Sequence, residues 1–163
     1  SADLYALSEN SNFVICSGAK SILDLSKTNE LLETLGITRI GYQTNYMPGF
    51  WYEETENKVD NKFDEIHEIS SFLKLNENMG NKKSILIFNK VPLEKALNKN
   101  DVEKWINNAT IKADRNNISG KELTPFLIKE INEQSKNETL NANVSLIINN
   151  ANLAGKIAKS FYS

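Results

Sequence analysis

The sequence predicts an α/β fold: a layered α/β/α arrangement around a mostly parallel sheet, with a long C-terminal helix. Short runs of consecutive apolar residues, typical of strands buried on both faces, alternate with longer segments whose apolar residues recur at helical spacing. Near the start, strand, helix and strand follow one another within about thirty residues, which forms a βαβ unit with parallel strands and a right-handed crossover. The helices outnumber the strands.

Length and composition favour one domain, or one piece of a larger domain. The chain has 163 residues, of which 40% are hydrophobic, enough for one ordinary core. A formal net charge of −2 gives no basic surplus, and no apolar run approaches a membrane span, so we expect neither a nucleic-acid nor a membrane partner. The single cysteine, Cys16, lies in an apolar run, which favours a reducing, cytoplasmic location. Because the chain opens at Ser1 without a methionine, organelle import stays an open alternative.

The first elements follow directly from the pattern. Residues 12–17 predict a buried strand that Ser17 and Gly18 stop. Residues 27–35 carry leucines at helical spacing before Gly36, a residue typical of helix C-termini. Residues 37–42 then predict a second strand.

The middle of the chain is less regular. Residues 43–59 predict a long loop, whose aromatic residues favour an ordered lid or a subunit contact over disorder. Residues 61–78 predict a helix with Phe63 and Ile66 on its apolar face. Residues 84–88 predict a third buried strand, followed by a loop that contains Lys90.

Three further helices complete the prediction. Asn100 with Glu103 forms a capping-box pattern, and Thr124 before a proline is a second start signal. Residues 139–161 predict the last helix, with Asn143 and Asn150 on a face beside its apolar stripe. We expect this stripe to face the core; it consists of Leu140, Val144, Ile147, Ala151, Ala154, Ala158 and Phe161.

Lys20 is the first candidate for chemistry. It follows the first strand on a turn of small residues, and ligands of open α/β sheets bind beyond the carboxyl ends of the strands. A lysine placed there suits Schiff-base chemistry with a carbonyl substrate. A solvated lysine at an ordinary turn is the alternative.

Other chemistry-bearing residues carry weaker signals. Ser1 raises the possibility of an amine-activated N-terminal nucleophile, although a processed chain end is the far commoner explanation. Asp3, in a predicted loop before the first strand, is unremarkable by itself. His67 is the single histidine, which argues against a histidine-based zinc site. The sequence has no glycine-rich phosphate loop and no nucleophile elbow.

Several stretches together resemble the pseudouridine-5′-phosphate glycosidase family. They are residues 1–4 (Ser-Ala-Asp-Leu), 18–24 (Gly-x-Lys-Ser-Ile-Leu-Asp), 41–50 (Gly-Tyr-x-Thr followed by the family's Pro-Ala-Phe), 120–127 (Gly-Lys-x-x-Thr-Pro-Phe-Leu) and 140–151 (Leu-x-Ala-Asn followed by Asn-Asn-Ala). The motifs are long, ordered and spread over the whole chain, so the resemblance is specific.

The resemblance implies reversible cleavage of the carbon–carbon glycosidic bond of pseudouridine 5′-phosphate to uracil and ribose 5-phosphate. It also implies a divalent metal, usually Mn²⁺, and a homotrimer. Lys20 matches the family's Schiff-base lysine. Ser1 and Asp3 match positions that contact the substrate or the hydrated metal, and Asn143 matches an asparagine that lines the same site.

The resemblance covers only the C-terminal half of such an enzyme, so we expect residues 1–163 to be the C-terminal portion of one domain. The general-acid glutamate, a second lysine and a metal-binding aspartate just upstream of Ser1 would belong to an N-terminal half, expected either as a separate chain or as a segment outside the structure. Lys90 and Gly49 depart from the family pattern, which predicts altered loop order or substrate preference. Two alternatives stay open: a truncated, non-catalytic half that binds a sugar phosphate or a partner, and another Schiff-base lyase acting on a phosphorylated sugar.

Overall fold

The computed structural model describes residues 2–163, which form four strands and six α-helices. The strands are β1 (Phe13–Cys16), β2 (Thr38–Tyr42), β3 (Asn61–Phe63) and β4 (Ile85–Phe88). The helices are α1 (Ala2–Glu9), α2 (Leu25–Thr34), α3 (Ile66–Asn78), α4 (Lys99–Arg115), α5 (Leu123–Gln134) and α6 (Glu138–Phe161). Short 3₁₀ turns lie at Leu93–Lys95 and Gly120–Glu122. Within this part of the chain, no helix is long and apolar enough to cross a membrane.

The sheet is parallel throughout, in the order β1-β4-β2-β3, as the sequence predicts. β4 is central and all of its residues are buried, which explains its uninterrupted apolar run. Cys16 at the end of β1 lies beside Phe88 at the end of β4. The segments that follow these two strands therefore leave the sheet side by side.

Three apolar clusters confirm the layered α/β/α architecture. One face of the sheet packs against α3 and α6 through residues such as Ile69 and Leu153. The other face packs against α1 and α2, where Leu32 is buried. A third cluster lies beyond the carboxyl ends of the strands, where α4 and α5 pack against the start of α6 and the buried Trp51.

The predicted helix over residues 61–78 is wrong at its start. Asn61–Phe63 forms strand β3, whose residues pair with Ile40 to Tyr42 of β2. The helix begins only at Ile66, where the Glu68 side chain accepts a hydrogen bond of 3.1 Å from the backbone N–H of Glu65. The sheet edge of β2 supplies backbone partners that the local pattern could not reveal.

Three other local predictions also differ from the structure. Helix α4 begins at Lys99 and is capped by Asn98, which accepts a bond of 2.9 Å from the N–H of Asn100. A 3₁₀ turn leads directly into α5, so Thr124 lies inside that helix and does not cap it. The segment that contains Asp3 is helix α1 rather than a loop.

The predicted core-facing stripe of α6 is wrong. Leu140, Val144 and Ile147 are between 51% and 63% exposed. The residues that α6 buries are Thr139, Ala142, Leu146, Leu153 and Ile157. Apolar residues occupy most of the circumference of this helix, so two stripes compete for the core, and packing against α3 and β1 selects between them.

Candidate functional site

Polar side chains join the ends of β1 and β4 to helix α6. Ser17 follows β1 and Asn89 follows β4, and both are buried. The amide of Asn150 donates to Ser17 Oγ at 3.1 Å, and its oxygen accepts from Asn89 Nδ2 at 3.1 Å. Because buried polar groups need partners, these bonds fix α6 against the carboxyl ends of both strands.

The turn that carries Lys20 packs closely against residues 47–52. Gly18 has a φ of +86°, and a Cβ there would lie 2.1 Å from the carbonyl oxygen of Pro48. Ser21 Oγ donates to the carbonyl oxygen of Gly49, and the N–H of Phe50 donates to that of Ser17 at 3.1 Å. Only glycine satisfies both the backbone conformation and the close approach at position 18.

The aromatic segment is ordered, as predicted, but it is not a lid. Met47, Trp51 and Tyr52 are buried, and Trp51 and Tyr52 belong to the cluster formed with α4 and α5. The indole Nε1–H of Trp51 donates to Asn143 Oδ1 at 2.7 Å. Residues 47–52 therefore form a wedge that contacts the Lys20 turn on one side and Asn143 of α6 on the other.

Lys20 and Asn143 line the same cleft, of about 550 Å³. Its wall is predominantly apolar and is formed by Trp51, Pro125, Ile128 and Leu140, with Thr124, Lys129, Asn132 and Thr139 also contributing. Lys20 is exposed, and within residues 2–163 no acceptor for its amine is found. A free primary amine beside an apolar wall and a fixed amide can attack a carbonyl and orient its substituents.

Asp3, another predicted site residue, is not brought to this cleft. It lies on an exposed position of α1. Ser1 lies outside the described residues. Their roles in substrate or metal contact remain predictions.

Lys90, the departure from the family pattern, occupies an ordered loop. Its Nζ lies 3.6 Å from Glu53 Oε1 and 3.4 Å from Glu54 Oε1, and its carbonyl oxygen accepts from Asn149 Nδ2 at 3.0 Å. The second departure, Gly49, lies against the ring of Tyr52, which a Cβ would approach to 2.1 Å. Glycine at this position accommodates the buried tyrosine.

Cys16 is not a nucleophile in this arrangement. Surrounding protein atoms desolvate its thiolate and raise its pKa to about 11, although the backbone N–H of Gly18 opposes the shift. The thiol is therefore neutral at physiological pH, which is typical of a structural cysteine.

The described residues do not fit a divalent metal. No group of three or more His, Cys, Asp or Glu side chains within residues 2–163 is placed to hold one. The cleft beside Lys20 is lined by amide, hydroxyl and ammonium groups and by no carboxylate, whereas Mn²⁺ and Mg²⁺ prefer carboxylate oxygen.

Sequence reasoning identified Asn143 but missed the long-range contacts that hold the site together. Trp51 and Asn143 are 92 positions apart, and Asn150 and Ser17 are 133 positions apart. One usable signal was the seven-residue spacing of Asn143 and Asn150, which places both amides on one side of α6. A second usable signal was the presence of a polar residue directly after each of two buried strands, Ser17 after β1 and Asn89 after β4.

The fold and the site define a class: an α/β protein with an exposed lysine at the carboxyl edge of a parallel sheet, in a cleft lined by helices. The family model described as "Indigoidine synthase A like protein" matches residues 1–160. The chain belongs to this family.

Curated relatives extend this result. The chain is 43% identical over 158 residues to a pseudouridine-5′-phosphate glycosidase of Kosmotoga olearia, covering 97% of this chain and 55% of that protein. It is 44% identical over 161 residues to one of Petrotoga mobilis, covering 99% and 53%. The chain thus spans about half the length of these relatives.

Two solved structures share the fold. One is a prealnumycin C-glycosynthase in complex with ribulose 5-phosphate, with a TM-score of 0.93, 27% identity, and coverage of 99% of this chain and 53% of that one. The other is an indigoidine synthase A-like protein of Thermotoga maritima, with a TM-score of 0.86, 33% identity, and coverage of 97% and 52%.

Proposed function

We propose that this chain forms half of the active site of a pseudouridine-5′-phosphate glycosidase, with Lys20 as the Schiff-base nucleophile. The single observation that carries the proposal is the shared cleft of Lys20 and Asn143 at the carboxyl edge of the sheet. The relatives' name and the sugar-phosphate complex of the C-glycosynthase support the substrate class.

The chemistry of the C-glycosidic bond explains why cleavage would require an amine nucleophile. A C-glycoside has no heteroatom at the scissile bond to protonate, so the ribose ring must open. The Lys20 amine attacks C1′ and the C1′–O4′ bond breaks. Protonation of uracil C5 then lets the C1′–C5 bond break while the nitrogen lone pair forms the iminium. Water hydrolyses the iminium, which releases ribose 5-phosphate and restores the amine.

This chain would supply the nucleophile and positioning groups, but the described residues that line its cleft include no carboxylic acid. The C5 proton donor and the ligands of a divalent metal, Mn²⁺ by resemblance, would come from the polypeptide that corresponds to the other half of the relatives. Ser1 and Asp3 would meet substrate or hydrated metal once that half is bound. The whole enzyme would be a cytoplasmic homotrimer.

Borohydride trapping tests this function. The chain is expressed with the part of the Kosmotoga olearia relative that the match leaves uncovered, then treated with ribose 5-phosphate, Mn²⁺ and borohydride, and digested for mass spectrometry. We expect a reduced sugar-phosphate adduct on Lys20 that the Lys20→Ala variant loses. Lys90→Ala is the matched control, because Lys90 follows the neighbouring strand, and it should keep the adduct on Lys20.

The outcomes separate the alternatives. Absence of any adduct on correctly folded protein would contradict the proposal and favour a non-catalytic half that binds a sugar phosphate. An adduct on Lys20 without release of uracil from pseudouridine 5′-phosphate would indicate another Schiff-base lyase. An adduct on Lys90 instead would contradict the assignment of Lys20 as the nucleophile.

A further inference from the structure

We infer that the outward side of α6 and the open edge of β1 form one docking surface, and that its occupant is a polypeptide equivalent to the half of the family's chain that this chain does not match. The inference rests on the proposed function for the identity of the partner, but not on the chemistry of Lys20.

The first observation is a continuous apolar surface on a single helix. The outer face of α6, as we define it, comprises Leu140, Val144, Ile147, Ile148, Ala151, Gly155 and Ala158. All seven are exposed, and the four large aliphatic side chains are 51–63% exposed. Scattered exposed leucines are common on proteins, but a row along five turns of one helix marks an interaction surface.

The distribution of polar residues around α6 also indicates that its outer face is covered. They are confined largely to one narrow stripe that includes Asn141, Asn152, Lys156 and Lys159. The remaining surface packs on the sheet, packs in the cluster with α4 and α5, or belongs to the outer face. A helix with an apolar face both towards the core and away from it is typically covered on both sides by other elements.

The second observation is the edge of the sheet. β1 is the terminal strand of the order β1-β4-β2-β3, and its four residues are all apolar. Natural edge strands are usually protected by lysine, proline, a bulge or a cover, and residues 13–16 have no charge and no proline. The opposite edge, β3, carries Lys62. Within residues 2–163, only the β1 edge is built like an interior strand.

The two features adjoin each other. Phe13 and Ile15 of β1 pack in the same cluster as Leu153 and Ile157 of α6. A partner that adds a strand at β1 and follows it with a helix would place that helix beside α6. Such a repeated strand-and-helix arrangement is how parallel α/β sheets grow.

The length of the relatives identifies the occupant. This chain covers only 52–55% of the length of three curated glycosidases. The missing part is large enough to supply several strands and helices. It would also supply the carboxylates that the Lys20 cleft lacks.

The position of the surface gives it a functional consequence. Leu140 belongs to the outer face of α6 and also lines the cleft of Lys20 and Asn143. A polypeptide seated on the outer face therefore borders the cleft directly. Docking and completion of the site are then one event.

Binding is measured by analytical ultracentrifugation and calorimetry with the uncovered part of the Kosmotoga olearia relative as the probe. We expect a 1:1 complex with the wild-type chain and a Kd weakened at least about tenfold by Val144→Glu with Ile147→Glu. The control is Leu75→Glu on α3, which places one such charge at a comparably exposed leucine (59%) outside the outer face of α6 and should bind normally. Far-UV circular dichroism checks that each variant is folded.

Hydrogen exchange supplies a second, independent measurement on the unmutated protein. We expect the amides of residues 13–17 to gain protection when the probe binds, since β1 acquires a neighbouring strand. Absence of a complex, equal weakening by Leu75→Glu, or unchanged exchange in β1 would overturn the inference. Concentration-dependent dimers of the chain alone that Val144→Glu with Ile147→Glu abolishes would assign the surface to a second copy instead. None of these readouts depends on catalysis, so they stand apart from the trapping result.

Discussion

Two lysines follow neighbouring strands of the sheet, and their surroundings differ. Lys20 follows β1 on a turn that Gly18 and Ser21 fix against the buried wedge, while its amine is left exposed in an apolar cleft. Lys90 follows β4, and its amine lies between Glu53 and Glu54. In both turns the backbone is anchored, but the amine of Lys20 is available whereas the amine of Lys90 lies between two carboxylates.

Under the proposed function, this difference separates a lysine that reacts with the substrate from a lysine that forms ion pairs with its own loop. A nucleophilic amine must be free to reach a carbonyl, so it is held by its backbone rather than by partners of its nitrogen. An amine between two carboxylates contributes a local ion pair. Mutations in the two turns should therefore differ in size and in kind.

The largest effect is expected from Gly18→Ala. The new methyl group would meet the carbonyl oxygen of Pro48, and the φ of +86° is strained for any other residue. We expect the free energy of unfolding to fall by about 3 kcal/mol or more, measured by urea titration.

The matched control for that change is Gly80→Ala. Gly80 has a similar φ of +74°, but a Cβ there meets nothing within 4 Å. It should cost only about 1 kcal/mol, the price of the left-handed conformation alone. Equal losses at both positions would show that contact between the Lys20 turn and Pro48 is unimportant.

The next effect is expected from Asn150→Ala, which affects both turns. The change leaves the buried Ser17 and Asn89 without the amide that bridges them, and we expect a loss of about 1–3 kcal/mol by thermal unfolding. Asn152→Ala, at an exposed position of the same helix, should change stability by less than about 0.5 kcal/mol. A loss confined to Asn152→Ala would contradict the role of the bridge.

How far the sequence predicts these arrangements depends on the range of the interactions. Strands β1, β2 and β4 were predicted within one or two residues because a buried parallel strand is a run of apolar residues that needs no partner to be recognised. The position of Lys20 beyond β1 followed from the same run. Layered α/β/α packing followed from the alternation of elements.

Long-range choices could not be predicted. Asn61 and Lys62 are polar, and they form a strand only because β2 offers its edge. The buried face of α6 was assigned to the wrong stripe because both stripes are apolar and only the sheet distinguishes them. The bond between Trp51 and Asn143, and the bridge of Asn150, join segments that are far apart in the chain and leave no local pattern.

A smaller, pH-dependent effect is expected from Cys16, in the strand before the Lys20 turn. Its pKa is about 11 in the folded chain against an ordinary value of 9.0, so the folded state holds the proton more tightly. The resulting stability is fully present below pH 9 and is lost as the pH rises towards 11. Across this window the free energy of unfolding should therefore fall by about 1–2 kcal/mol more in the wild type than in Cys16→Ala, measured by urea titration at several pH values.

A fall across that pH range that is identical in wild type and Cys16→Ala would show that the thiol is not desolvated. Alkylation by iodoacetamide gives a direct check on the wild-type chain. Its rate should rise about tenfold per pH unit up to pH 10, without a plateau, because only the thiolate reacts.

The smallest effect is expected from Lys90→Met in the other turn. The change removes the cation between Glu53 and Glu54, but the lysine is 30% exposed and the two glutamates are 44% and 36% exposed, so water screens the pairs. We expect a loss below about 1 kcal/mol in low salt that shrinks in 1 M NaCl, measured by urea titration. Lys82→Met, at an exposed lysine with no carboxylate partner found within residues 2–163, should change nothing at either salt concentration.

A small value for Lys90→Met is consistent with how its loop is held. The carbonyl oxygen of Lys90 accepts from Asn149, and the next residue, Val91, is buried in the third cluster, so backbone anchoring persists without the amine. A loss well above 1 kcal/mol that salt does not reduce would mean that the aliphatic stem of Lys90 packs the loop. The Lys90 turn would then be fixed by burial rather than charge, and the contrast with the Lys20 turn would be between an exposed and a packed side chain.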